Sequence, residues 1–179
     1  MPPTPERIVR LFVRRALLLL TLIIIVAFPC FSQRQTKDDK YWALSEKYCN
    51  ARFGFCVGYP ASLLMDPAPA NDDGRRFDNG NGLYVTASGI NNTSHDTLKS
   101  EMLSNRYRFD RITYRAQGKD WFVLSGQKAD KIIYLRTFIG RGSVNHLEIE
   151  YSVHLRAAYR TVVGNIARSF KPGQLGVSH

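Results

Sequence analysis

The stretch Val144–Phe170, VNHLEIEYSVHLRAAYRTVVGNIARSF, decides the architecture. Its first ten residues alternate. Leu147, Ile149, Tyr151 and Val153 point one way, and His146, Glu148 and Glu150 point the other. A period of two, apolar on one side only, describes a strand with one face on a core. The period then changes. Leu155, Tyr159, Val162, Val163, Ile166, Ala167 and Phe170 recur at helical spacing, an apolar stripe of about four turns that Pro172-Gly173 stops. A half-buried strand running into an amphipathic helix predicts that the helix covers the apolar face of the sheet to which the strand belongs.

Upstream, the chain reads as more strands of the same sheet. Lys131–Gly140 is apolar on both sides, Trp121–Ser125 precedes it, and Arg111–Gln117 alternates with Ile112 and Tyr114 expected on one face. Gly118-Lys119-Asp120, Ala129-Asp130 and Arg141-Gly142 are turns between them. Leu98, Met102 and Asn105 or Arg106 stand at helical spacing, with Ser94 or Asp96 as the expected N-cap. Arg75–Phe77 and Leu83–Ser88 flank Asp78-Asn79-Gly80-Asn81-Gly82, turn chemistry between two strands. Earlier still, Lys47–Cys49 and Gly54–Tyr59 form a short pair, Pro60 ends the second, and Ala61–Leu64 reads as one helical turn. Strands joined by tight turns make an antiparallel meander, and with helices as cover the class is α+β.

The N-terminus reads differently. Arg7, Arg10, Arg14 and Arg15 precede the uncharged run ALLLLTLIIIVAF over Ala16–Phe28, followed by Pro29 and the small residue Ser32. That is the pattern of a secretory signal. An uncleaved anchor is the alternative, since Ala16–Gln33 offers 18 uncharged residues against the roughly 20 that span a bilayer. Either way the rest of the chain is expected to be exported, periplasmic or extracellular, with any membrane contact confined to residues 16–33. The expected division is residues 1–32 as signal peptide or anchor, 33–45 as a flexible leader, 46–171 as the α+β domain and 172–179 as a loose tail. Of the 179 residues, those after Ser32 carry 21 basic and 14 acidic side chains, a net charge of +7. No block of five or six like charges exists, so nucleic-acid binding has no dedicated signal. Cys49 and Cys56 are the two cysteines beyond the leader, and in an exported chain they read most simply as a disulfide rather than as free thiols.

Phe53-Gly54-Phe55-Cys56-Val57-Gly58-Tyr59-Pro60 resembles the opening signature of the PsbP-like superfamily, an aromatic-Gly-Phe run entering a strand that ends in Tyr-Pro. Trp121–Gly126 resembles that family's central strand, and Tyr134–Gly140, Leu147–Val153 and a helix closing on Ile166-Ala167-Arg168-Ser169-Phe170 follow its order. The likeness covers roughly residues 46–171. It implies an antiparallel sheet sandwiched by helices, in exported or lipid-anchored proteins that bind proteins or ligands and are generally not enzymes. Cys49 and Cys56 depart from the pattern, and no functional residue of the family carries over, because the matched positions are fold positions.

The residues themselves carry little catalytic chemistry. G-x-S-x-G, H-E-x-x-H, the P-loop and G-x-G-x-x-G are all absent, and no cofactor is implied. Ser94-His95-Asp96 places three triad-type residues side by side, where neighbours rarely face each other. His146, Glu148 and Glu150 share one strand face, an imidazole and two carboxylates that could ligate a metal or simply form the wet side of the strand. Arg156, Arg160 and Arg168 lie opposite the helix's apolar stripe with Lys171 at its end, an anion-binding strip or an ordinary solvated face. The expectation is an exported, non-catalytic binding module for a protein or an anionic envelope component. The alternative is a metal-dependent factor or enzyme built on His146.

Overall fold

Nine strands and two helices follow one another over residues 41–179, the residues that the computed structural model describes. The signal or anchor reading of residues 1–32 and the leader residues 33–40 lie outside them. Strands β1 (Glu46–Cys49) and β2 (Cys56–Tyr59) form an antiparallel hairpin of their own. Strands β3 (Leu64–Met65), β4 (Gly74–Asp78), β5 (Leu83–Asn91), β6 (Arg111–Gln117), β7 (Trp121–Lys128), β8 (Lys131–Ile139) and β9 (Ser143–Ser152) form one antiparallel sheet in the order β3-β4-β5-β9-β8-β7-β6. Helix α1 (Leu98–Asn105) interrupts the meander between β5 and β6, and α2 (Arg156–Ser169) follows β9. The architecture is α+β: an antiparallel sheet with a helix on each face, the second of them C-terminal.

The stretch 144–170 folds as its two periods require. Leu147, Ile149 and Tyr151 of β9 are buried in the main core against Tyr159, Val162, Val163, Ile166 and Ala167 of α2. Phe170, just past the helix, is fully buried, with its ring 5.9 Å from those of Phe55 and Phe138. The β1–β2 hairpin lies on the same side, contributing Val57 and Tyr48 to this core. Cys49 and Cys56 are paired in register at its end and joined by a disulfide. Arg136 of β8 lies beneath the C-terminal end of α2 and donates to the carbonyl of Ala167 at 2.7 Å, a cation at the negative end of the helix dipole.

The opposite face carries a second, smaller core. Phe109, Phe122, Leu124, Ile133 and Leu135 are buried there, and Leu98 and Met102 of α1 pack on them. β8 is apolar on both sides because it serves both cores.

Several local expectations are corrected. α1 is capped by Thr97, which forms a capping box with Ser100, and not by Ser94 or Asp96. A bulge between Ile112 and Tyr114 shifts the register of β6, so the pair does not share a face: Ile112 packs on the smaller core and Tyr114 is exposed. Ala61–Leu64 is no helical turn; Leu63 N–H closes a single turn on the Pro60 carbonyl and the chain then enters β3. The last part of the leader, residues 41–45, packs: Trp42 meets Tyr159 edge-on at 5.4 Å and Leu44 joins the core. Nor are residues 172–179 a loose tail. The Leu175 carbonyl accepts from the N–H groups of Gly142 and Ser143, and the Asn91 side chain bonds the backbone of His179 twice. The approach is possible because Gly140 and Gly142 carry no side chain; a Cβ on either would lie 2.4 or 2.2 Å from backbone atoms of Leu175 or Val177.

Candidate functional site

Alternation places His146, Glu148 and Glu150 on the face of the sheet opposite α2, and the register sets them among Ser88, Thr86 and Tyr84 of β5. α1 covers only part of this face. His146 lies near the helix, where its Nδ1 is 3.0 Å from the Thr137 hydroxyl and its Nε2 is 3.8 Å from a Glu101 carboxylate oxygen. Burial, with the nearby Arg108 charge, pushes the imidazole down to about 4. The ring is therefore neutral near pH 7, and its contact with Glu101 is not an ion pair there. Burial also raises Glu101, whose carboxylate accepts from the Asn105 amide.

Beyond the edge of α1 the sheet face is open. Arg76, Tyr84, Thr86, Lys131, Glu148 and Glu150 line a polar groove of about 370 Å³. The Arg76 guanidinium lies over the Tyr84 ring at 4.5 Å. Glu148 is held by Arg108, and Glu150 faces the Lys131 ammonium at 3.3 Å. Burial and the neighbouring Glu150 push Glu148 up, while hydrogen bonding to Glu148, and Lys131 after it, hold Glu150 down. His146, Glu148 and Glu150, the three residues of the metal reading, lie where alternation puts them. The three share a face, but each is committed to a different partner, and among the described residues no three His, Cys, Asp or Glu side chains converge on a metal position. Ser94-His95-Asp96 does not assemble either: His95 is exposed in a turn at φ +54°, and the Asp96 carboxylate takes the Ser100 hydroxyl at 3.0 Å.

The basic residues of α2 are where the periodicity puts them. Arg156, Arg160, Arg168 and Lys171 are all exposed. Arg168 and Lys171 lie at the negative C-terminal end, but Arg156 is the first residue of the helix, at the positive end, where a cation is unfavourable. Arg156 and Arg160 are four apart, a second like-charge cost of a few tenths of a kcal/mol. The helix contains no acidic residue, and none of its arginines pairs with a carboxylate among the described residues.

A third feature escaped the sequence reading, because three loops distant in the chain build it. At one end of the sheet the β5–α1 connection, the β6–β7 turn and the β8–β9 turn border an open hollow of about 730 Å³. Leu98, Ile139 and Gly140 give it an apolar lining, and Lys119 and Arg141 lie at its margin. Asn92, 6% exposed, fixes the connection to the turn: its amide donates to the carbonyls of Asp96 and Gly140 and its oxygen accepts from Asp96 N–H.

Neither a family model nor a curated protein matches the sequence. Solved structures do match the fold. The cyanobacterial PsbP protein (CyanoP) of Synechocystis sp. PCC 6803 superposes with a TM-score of 0.51 and 11% identity, over 71% of this chain and 91% of that one. The fold is PsbP-like. The Ran-binding protein Mog1p of Saccharomyces cerevisiae shares this PsbP-like fold, with a TM-score of 0.50 and 9% identity over 71% of this chain and 94% of that one. A Bacteroides thetaiotaomicron VPI-5482 protein matches 74% of this chain at a TM-score of 0.50 and 12% identity, and the match spans half of its own length. These identities speak for the fold alone, and among the described residues no helix is long and apolar enough to cross a membrane.

Proposed function

We propose that the protein is an exported, non-catalytic binding module whose exposed α2 face docks on an acidic partner protein. The observation that carries this reading is the placement of Arg156 and Arg160. Both are exposed, neither has a carboxylate partner among the described residues, and Arg156 stands at the end of the helix where its charge is disfavoured. Charges placed against local stability need a reason outside the fold, and an external anion supplies one. The disulfide and the N-terminal sequence pattern support export, and the binding role of a protein with the same fold, Mog1p, supports a module that recognises other proteins.

The test uses poly-L-glutamate as the acidic probe and the full chain. Wild-type protein binds it with an affinity that falls steeply between 50 and 500 mM salt, in keeping with the roughly 10 Å screening length at 0.1 M. Arg156→Glu/Arg160→Glu weakens binding at least tenfold. Arg111→Glu/Arg115→Glu, on the edge strand β6, keeps the net charge change similar and leaves binding within about threefold. If both charge reversals weaken binding equally, the protein is merely basic and α2 is not a docking face. If poly-L-glutamate fails and an anionic polysaccharide binds with the same residue dependence, the partner is an envelope polymer and not a protein.

A further inference from the structure

We infer that the hollow between the β5–α1, β6–β7 and β8–β9 loops is a binding site for a small amphiphilic anion, a molecule with one anionic head on a short hydrocarbon body. Its volume, about 730 Å³, falls in the range of small-molecule sites. The chemistry of the lining selects the ligand. Leu98 and Ile139 are aliphatic, and Gly140 adds no side chain, so this part of the hollow rewards a hydrocarbon and offers a sugar or a free phosphate few partners. Two cations, Lys119 and Arg141, come from different turns and are exposed, and neither has a carboxylate within ion-pair distance among the described residues. One carboxylate lines the site, that of Asp96, and it already accepts from Ser100. The remaining positive charge faces an apolar surface, a combination that fits neither a neutral lipid nor a compact polar ion.

The site is also preorganised. Asn92 is buried: two of its side-chain hydrogen bonds close the β5–α1 connection on Asp96, and the third ties that connection to Gly140 at the β8–β9 turn. Between them His95 is held at φ +54°, a left-handed conformation that non-glycine residues seldom adopt and that marks a loop fixed by its surroundings. The C-terminal segment braces the same turn, through Gly142 and Ser143 to the Leu175 carbonyl. A hollow whose walls are fixed before binding loses little entropy when it is filled.

Octanoate, 1-octanol and acetate separate the components, since they present head and body together, body alone and head alone. Titrated into the isotopically labelled full chain and followed by amide shifts, octanoate moves residues 92–98 and 139–142 in a saturable manner. It binds at least tenfold more tightly than 1-octanol and at least tenfold more tightly than acetate. Lys119→Ala/Arg141→Ala weakens octanoate tenfold or more and leaves 1-octanol within twofold, with the melting temperature serving as the check on folding. Arg156→Glu/Arg160→Glu leaves octanoate binding unchanged, which keeps this site distinct from the α2 face. The inference is overturned if octanoate does not saturate at millimolar concentration, if 1-octanol binds as tightly, if the Lys119/Arg141 variant binds octanoate as the wild type does, or if the shifts map to α2.

Discussion

The two faces of the sheet are built by different rules. On one, α2 and the β1–β2 hairpin press an almost wholly apolar surface onto the strands, and five α2 residues are buried. On the other, no residue of α1 is fully buried: Leu98 and Met102 pack on a smaller apolar cluster, and beside it stand polar groups, with His146 near Glu101 and Thr137 and with Arg108 against Glu148. The first arrangement draws its stability from burial, which is insensitive to pH and salt. The second places ionisable groups where their protonation matters, and it leaves a polar groove and a loop hollow open.

The sharpest way to break this comparison is to truncate the α2 side. Phe170→Ala or Ile166→Ala should cost about 2–5 kcal/mol, the range for removing a large, fully buried side chain. Leu98→Ala, on the half-buried contact of α1, should cost clearly less. Urea denaturation of the three variants measures both; equal costs would mean that α1 anchors the fold as firmly as α2 does.

Next in size is the pH response of the α1 side. His146 is depressed from 6.5 to about 4 in the folded protein. The unfolded chain therefore binds the extra proton between those values, so its contribution to stability is present in full above about pH 6.5 and is lost as pH falls toward 4. At 1.36 kcal/mol per pKa unit the loss is of order 3 kcal/mol. The groups facing the ring are Glu101, Arg108 and the Thr137 hydroxyl, with Glu148 beyond Arg108. Glu101 acts in the opposite direction, since its raised pKa lets the folded state hold a proton longer. His146→Gln should flatten the fall in melting temperature between pH 6.5 and 4.5. A slope unchanged by that substitution would remove His146 as its source.

The Cys49–Cys56 bond comes third. Closing its short loop is worth about 2–3 kcal/mol on the chain-entropy model. Denaturation with and without reductant, with thiols counted under denaturing conditions, should show that loss on the covered face while the His146-dependent pH slope persists.

The smallest effect sharpens the comparison from the outside. Arg156→Ala should change stability by no more than about 0.5 kcal/mol, and toward greater stability, because it removes a cation from the positive end of a helix and a like-charge neighbour of Arg160. A clear destabilisation, read from the same urea titration, would mean that Arg156 supports the fold.

What the sequence made legible follows the same division. The stretch 144–170 could be read because a single period governs each of its halves and one face of each is apolar. The β6 bulge could not, since it inserts Thr113 without any departure from strand-like composition. The packed segment 172–179 was missed because its contacts depend on the absent side chains of Gly140 and Gly142, some 30 residues earlier. The shared face of His146, Glu148 and Glu150 was legible from alternation. Their separate partners were not, because Arg108 reaches them from the segment before β6, and Thr137 and Lys131 from the two ends of β8. The loop hollow had no linear signal; Asn92, which is buried and hydrogen-bonded to two segments in the fold, stands in the sequence as one polar residue among several in a connection.

The strand order has a consequence for biosynthesis. β9 lies between β5 and β8, yet it is made after every other strand. Until residues 143–152 emerge, β5 has β4 on one side and a nine-residue unpaired edge on the other. The nascent chain therefore holds two partial sheets that cannot join, each with an apolar surface awaiting α2. Pairings this distant in sequence slow folding, and an open edge is a template for association with other chains. Chaperone dependence should accordingly peak during the synthesis of β6 to β8 and end abruptly once β9 and α2 have cleared the ribosome or the translocation channel.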